Sequence, residues 1–354
     1  MTTHRGRHGP TIIDVAQAAG VSRQTVSNAL NAPRRLHPDT LARVLAVVER
    51  LGYVPNRMAR SLRTQDTRQI GYRLDPEEFG PVGVSQDRFL YSLTSAAEAE
   101  GYLLLLFCRG RTGDELARYA DMLRTGTVDG FVLSGVGPDD PRPPWLKRRQ
   151  TPFVCYGRPP TTGPDDLWVA VDAAAGTAAA VDHLVAAGHR TIGFIGWPGT
   201  SGQDEPRLTG WRRAMRGHGL GTDACDHALD TPWESTRGAL RLLSRTPVPT
   251  AVVAASDAFA LGCYAAARHL GLEVGRDLAV VGFGDCPTAS LITPALTSVG
   301  PPFQDIGRAM IRLLVARLRE QVPEEPGVLL APSLVVRDSA RAGPPDRSGT
   351  GPER

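Results

Sequence analysis

Residues 20–30 read GVSRQTVSNAL. Val26, Ala29 and Leu30 repeat at helical spacing, while Arg23, Gln24 and Asn28 stand between them with no evident core role. Gly20 suits the left-handed stop of a preceding helix, and Ser22 can cap the next one at once. Upstream, Thr11-Ile12-Ile13-Asp14 reads as a capping box, followed by Ile12, Val15, Ala16 and Ala19 at helical spacing. Two short helices joined by about three or four residues must cross steeply, as in a helix-turn-helix. Asn31-Ala32-Pro33 ends the second helix. Pro38 starts a third, with Leu41, Val44, Leu45 and Val48 expected inward and Gly52 as its stop. The expectation is an all-α headpiece over 11–54, preceded by a basic disordered arm over 1–10.

In this geometry the second helix enters the DNA major groove N-terminus first, with Arg23 and Gln24 leading and Asn28 one turn on. Arginine suits guanine O6/N7, and Gln or Asn suits adenine N6/N7. Thr11, Ser22, Thr25, Ser27 and Asn31 are small donors suited to phosphates. A solvated surface helix of a core bundle would show the same periodicity. Charge favours DNA. Residues 1–68 hold 11 Arg against 4 Asp/Glu, whereas the whole chain carries only +3. A basic head on a mildly acidic body suits a polyanionic partner.

After the bundle comes YVPNRMARSLRTQDTR (53–68). Pro55 breaks the chain, Asn56 can cap, and Arg57 to Leu62 form less than two turns, too short to be stable alone. Such a hinge helix (within 55–68) would fold only with DNA and a partner, its Leu62 suited to wedge a minor-groove base step. A flexible linker with one stray leucine is the plainer reading.

From TIIDVAQAAGVSRQTVSNALN through LGYVPN to ARSL, order and spacing closely resemble the headpiece and hinge of the lactose-repressor (LacI/GalR) family of bacterial transcription regulators. The resemblance implies that Arg23, Gln24 and Asn28 read bases and that Tyr53 and Asn56 position the backbone. It implies that Ala59 and Leu62 of two subunits meet at the centre of a pseudo-palindromic double-stranded operator. His37 departs from the family's Ser or Thr before the proline.

Beyond residue 69, apolar runs at 102–107, 128–135, 152–157, 191–196, 251–256 and 278–284 alternate with helical patterns, a doubly wound α/β signature. VDAAAGTAAAVDHLVAAGHRTIGFIG, RLTGW, SDAFALG and VVGFGD resemble the family's effector domain, a two-lobed α/β fold of type I periplasmic-binding-protein kind. The resemblance sets an effector-binding and dimerisation domain at 69–338. Its N-lobe comprises about 69–171 and 301–330, its C-lobe 173–299 and 332–338, and a disordered tail follows at 339–354. Ligand then sits between the lobes at the strands' carboxyl ends. Arg207 is implied to hydrogen-bond the effector and Trp233 to stack on it. Asp172, Ser256, Asp257 and Asp285 occupy further cleft positions, and Phe89 is placed toward the first lobe's wall. An ion-paired Arg207, a core Trp233 and an N-capping Asp257 are the plainer readings. The usual GFDD is GFGD here, leaving Gly284 without a carboxylate, and Ser256 replaces an asparagine. The implied ligand is a small polar metabolite of the sugar class.

The implied protein is a cytoplasmic, homodimeric repressor, with no cofactor, metal, catalytic residues or membrane partner. No apolar run reaches 18 residues and no apolar segment follows the basic start, against a membrane span or secretory signal. The five cysteines, without a CxxC pair, read as reduced and buried. A secreted solute-binding protein would share the body but not the headpiece. An enzyme would need a P-loop, GxSxG, GxGxxG or metal-spaced His/Cys set, none of which occurs. A constitutive architectural DNA binder would share the headpiece but ignore ligands.

Overall fold

Thr11 opens α1 (Ile12–Ala19) through a closed capping box. Its hydroxyl accepts from the Asp14 N–H, and the Asp14 carboxylate accepts from the Thr11 N–H at 2.7 Å. Donation from the Thr11 N–H and the Thr11 hydroxyl holds the Asp14 carboxyl below the usual range. The computed structural model describes residues 10–53, 66–74, 84–108, 116–198, 205–341 and 343. The chain forms two units, 1–67 and Arg68 onward. In the first, Gly20 (φ +64°) stops α1, and α2 (Arg23–Asn31) starts on Ser22, whose hydroxyl accepts from the Thr25 N–H. α3 (Pro38–Leu51) ends at Gly52 (φ +61°), and its N-cap His37 makes no side-chain cap bond.

The headpiece core is Val15, Ala16, Ala19, Val26, Ala29, Val44 and Val47. Here the expectation for α3 is corrected at one position: Leu45 is exposed and Val47 takes its place inside. The inward stripe holds Val44, Val47, Val48 and Leu51, each three or four residues from another of the set, and Leu45 lies about 100° from Val44.

The second unit holds two six-stranded sheets. The first lobe comprises β1 (Gln69–Leu74), α4 (Val84–Ala99), β2 (Leu103–Cys108), α5 (Ala117–Arg124), β3 (Gly130–Leu133), α6 (Arg142–Arg148), β4 (Phe153–Tyr156) and β5 (Trp168–Val171). The second comprises α7 (Ala173–Ala186), β6 (Ile192–Gly196), α8 (Glu205–Gly217), β7 (Cys225–His227), α9 (Pro232–Leu243), β8 (Ala251–Ala254), α10 (Asp257–His269), β9 (Ala279–Phe283), α11 (Pro287–Leu291) and β10 (Thr297–Gly300). The chain then returns to the first lobe for α12 (Phe303–Leu318) and β11 (Gly327–Leu330), and ends in the second with β12 (Ser333–Val335). The sheet orders are β11-β5-β4-β3-β1-β2 and β12-β10-β9-β8-β6-β7. All pairings are parallel except β10 with β12. Helices cover both faces, so β3, β6, β8, β9 and β10 are buried along their whole length. The two-lobed α/β class expected from the sequence is the one observed.

Two expectations fail at the chain's small residues. The disordered tail does not begin at 339: Asp338–Ala340 form a 3₁₀ turn in which Ser339 and Ala340 are fully buried. Ser339 accepts from the Thr297 N–H at 2.8 Å and donates to the Val280 carbonyl at 2.6 Å, which pins the turn to β9 and β10. The cysteines are not all interior, since Cys108 is exposed, whereas burial pushes the Cys155 and Cys263 thiols up to about 12. Among the described residues no helix is long and apolar enough to cross a membrane.

Candidate functional sites: a reading helix and an inter-lobe cleft

On α2, Arg23 and Gln24 are exposed and Asn28 is half-exposed. Gln24 Nε2 donates to Asn28 Oδ1 at 3.0 Å, so the two amides share one face at the i,i+4 interval. Ser22 Oγ also bonds Thr25 Oγ1 at 2.9 Å, which orients both hydroxyls at the helix start. Ser27, expected among the phosphate donors, is 9% exposed and sits with the core side of the helix. Thr11 is exposed and Tyr53 packs against the headpiece core. Asn56, Ala59 and Leu62 lie outside the described residues, as does the side chain of Asn31.

In the body, the RLTGW motif (207–211) resolves into separate tasks. A Cβ on Gly210 would lie 2.2 Å from the Ala174 carbonyl oxygen, so glycine lets α8 press onto α7. Thr177 Oγ1 donates to the Arg207 carbonyl at 2.8 Å, fixing where Arg207 leaves the helix. Trp211 is fully buried against Phe194. The Arg207 guanidinium carbon lies 4.2 Å from the centre of the Phe283 ring and 5.4 Å from that of Trp197. Phe283 ends β9, and Trp197 follows β6, so both rings stand at carboxyl ends of the second sheet.

Across from them, the first lobe contributes Tyr156, at the end of β4. Burial pushes its hydroxyl up, partly offset by the nearby Arg207 cation of the second lobe. Phe89 is buried and packs on Tyr156 (4.6 Å between ring centres) and Tyr72 (5.9 Å), so it backs this wall. Tyr72 bonds Ser134 at 3.1 Å.

The acidic positions divide differently from their sequence order. Asp172 caps α7, accepting from the Ala175 N–H at 2.8 Å. Ser256 caps α10, accepting from the Phe259 N–H at 3.3 Å. Asp257 is not the cap: it is 5% exposed and accepts from the Cys286 N–H at 2.8 Å and the Ser298 hydroxyl at 2.6 Å. Burial pushes its carboxyl up, partly offset by those bonds. Asp285 (φ +46°) pairs with Arg337 at 2.8 Å. Its carbonyl accepts from Arg88 of α4 at 2.6 Å, a bond that ties the lobes together. Trp233, in the first turn of α9, is 70% exposed, and the rings against Arg207 are those of Trp197 and Phe283. Trp197, Tyr156 and Arg88 were not singled out in the sequence. The strand-end position of Trp197 and Tyr156 was the available signal.

A helix-turn-helix head carrying an exposed Arg-Gln-Asn face, on a two-lobed α/β body with polar and aromatic walls between its lobes, defines a ligand-responsive transcriptional regulator. Residues 11–56 match the family model of bacterial regulatory proteins, lacI family, and residues 181–340 match that of the periplasmic binding protein-like domain. The chain is 34% identical to the HTH-type transcriptional regulator CelR of Thermobifida fusca, over 94% of this chain and 99% of the other. It is 32% identical to the ribose operon repressor of Escherichia coli K12, over 93% and 99%. Its fold superposes on the transcriptional regulator CelR–cellobiose complex with a TM-score of 0.70 and 32% identity, covering 93% of this chain and 99% of that one. The lac repressor dimer bound to operator and the anti-inducer ONPF superposes with a TM-score of 0.78 at 27% identity, over 94% and 99%. The chain belongs to the lacI family of bacterial regulatory proteins. It is a DNA-binding transcriptional regulator and not an enzyme.

Proposed function

We propose that this regulator is a cytoplasmic, homodimeric repressor whose hold on a pseudo-palindromic operator is set by a sugar-class effector between its lobes. The observation that carries the effector reading is Arg207, whose guanidinium carbon lies 4.2 Å and 5.4 Å from the ring centres of Phe283 and Trp197 at the strands' carboxyl ends. Planar donors beside apolar ring faces suit a ligand with hydroxyls along its edge and C–H groups on its face. The relatives named for cellobiose binding and for the ribose operon support the class. Base reading is assigned to Arg23, Gln24 and Asn28, and operator kinking to the hinge with Ala59 and Leu62.

The two functions meet through lobe geometry. The Arg88 bond to the Asp285 carbonyl fixes the inter-lobe distance beside the wall that holds Phe283. A ligand between the lobes resets that distance, and the first lobe carries the change to β1, where the headpiece is joined. The coupling is expected at about 1–3 kcal/mol.

Thermal-shift screening of the full chain against cellobiose, D-ribose and D-glucose tests the effector reading. At least one should raise the melting temperature, and Arg207→Ala should abolish that rise while leaving operator binding in place. No stabilisation by any of these sugars would count against the sugar class. Arg88→Ala should weaken the sugar's effect on operator affinity by severalfold, read by fluorescence anisotropy of a labelled operator. An unaltered response would remove the Arg88 bond from the coupling.

A further inference from the structure

Three carboxylates stand near the carboxyl ends of the second sheet's strands, and two of them are occupied by the fold. Both oxygens of Asp257 accept from Cys286 and Ser298, and Asp285 Oδ1, though without a hydrogen bond among the described residues, is ion-paired with Arg337 at 2.8 Å. Gly284 between them offers no side chain. The third is Asp230, three residues beyond β7 and beside Trp197, whose indole N–H donates to it. Its Oδ1 is buried and, among the described residues, has no hydrogen-bond partner. Burial pushes the Asp230 carboxyl up, partly offset by the Trp197 bond and by its own backbone N–H. The same Trp197 ring carries the Arg207 guanidinium at 5.4 Å. One indole therefore links a cation to an acid that retains an open acceptor.

Buried polar atoms in folded proteins are almost always satisfied, and an exception calls for a reason. A fold-stabilising role does not supply one here. The Trp197 bond uses one oxygen, and the other loses solvent without gaining a donor. A ligand that enters between the lobes brings donors to this oxygen.

We propose that Asp230 is an effector-binding residue whose Oδ1 accepts a hydroxyl hydrogen from the ligand. This rests on the reading of the cleft as a sugar-class site. The consequence is a shift in where hydroxyls are read. β7 is an edge strand, separated from β9 by β8 and β6, so the acceptor stands about 14 Å along the sheet from position 284. The ligand is then gripped toward the open edge of the second lobe, between Arg207 and Asp230. Analogues lacking the hydroxyl that meets Asp230 are rejected, because they leave a buried acceptor unpaired.

The test compares wild-type protein with Asp230→Asn and Asp230→Ala, each full-length. Calorimetric titration uses whichever of cellobiose, D-ribose or D-glucose stabilises the wild type. Asparagine can keep the Trp197 bond but has a single acceptor, so affinity should fall about tenfold or more, and further for alanine. The ligand-free melting temperature of Asp230→Asn should hold or rise, since a buried charge is removed without losing the indole's partner. Unchanged affinity in Asp230→Asn would overturn the proposal, as would a fall in its ligand-free melting temperature with affinity retained in whatever folds. If none of the sugars stabilises the wild type, the sugar reading fails first and takes this assignment with it.

Discussion

Replacing Arg142 with alanine is expected to destabilise the body by about 3–5 kcal/mol, the usual cost of leaving one half of a buried ion pair behind. Arg142 is 2% exposed. Its Nε donates to both Asp140 oxygens at 3.0 Å, and Nη2 donates to Asp140 Oδ2 at 2.6 Å and to the Ser134 carbonyl at 2.9 Å. Burial works against the cation, but Asp140 and Tyr119 outweigh it and push its pKa upward. Alanine strands a carboxylate in apolar surroundings and frees the Ser134 carbonyl. Because Ser134 bonds Tyr72 in the first lobe's wall, effector binding should weaken as well. Urea unfolding followed by circular dichroism measures the first effect. The double variant Arg142→Met with Asp140→Leu should recover most of the loss, since an apolar pair of similar volume is tolerated where a lone charge is not. A single-variant loss below about 1 kcal/mol would show that water reaches Asp140.

The second large effect is on DNA. Arg23→Ala should cost about 1–3 kcal/mol of operator affinity, concentrated at one base pair of each half-site. Arg23 opens α2 at an exposed position, and the Ser22 cap does not depend on it. The fold of the headpiece should therefore survive, as a circular dichroism melt would verify. Competition binding with a set of single-base operator variants separates the two ways of losing affinity. A base-reading arginine, once removed, leaves that position indifferent to sequence. A phosphate-binding arginine weakens every sequence alike and flattens the salt dependence. The latter pattern would move Arg23 from reading to positioning.

What could be read in advance was local. The Thr11–Asp14 capping box, the stops at Gly20 and Gly52 and the Ser22 cap each depend on residues a few positions apart, and their geometry follows from side-chain chemistry alone. Long apolar strands such as β6 and β9 announced themselves because helices cover both faces. β7 did not: Cys225–His227 has no apolar run, being an edge strand with polar neighbours. In the cleft, the motif residues could be listed but not assigned tasks. Asp257 and Asp285 look alike in sequence. Only their contacts with Ser298, some 41 residues from Asp257, and with Arg337 show that both are engaged within the fold. Arg88 meets Asp285 across 197 residues, and no spacing rule reaches that far. The resemblance pointed to Trp233, whereas one ring that meets Arg207, Trp197, follows a strand buried to its last residue.

The order in which the chain visits its lobes bears on what happens while the protein is being made. The headpiece is built from contacts within residues 11–53, so it can fold as soon as it leaves the ribosome. The first lobe cannot. Its core includes Phe303, Ile306, Met310 and Leu314 of α12, and its sheet is completed by β11. At roughly 5–20 residues per second, the ribosome needs some tens of seconds to pass from β1 to β11. During that interval the headpiece exists without a finished first lobe. The second lobe waits too, for β12 and the Ser339 turn. Both lobes are therefore finished only after β12 and the Ser339 turn, and a chain truncated after α11 would carry a complete headpiece beside an unfinished first lobe.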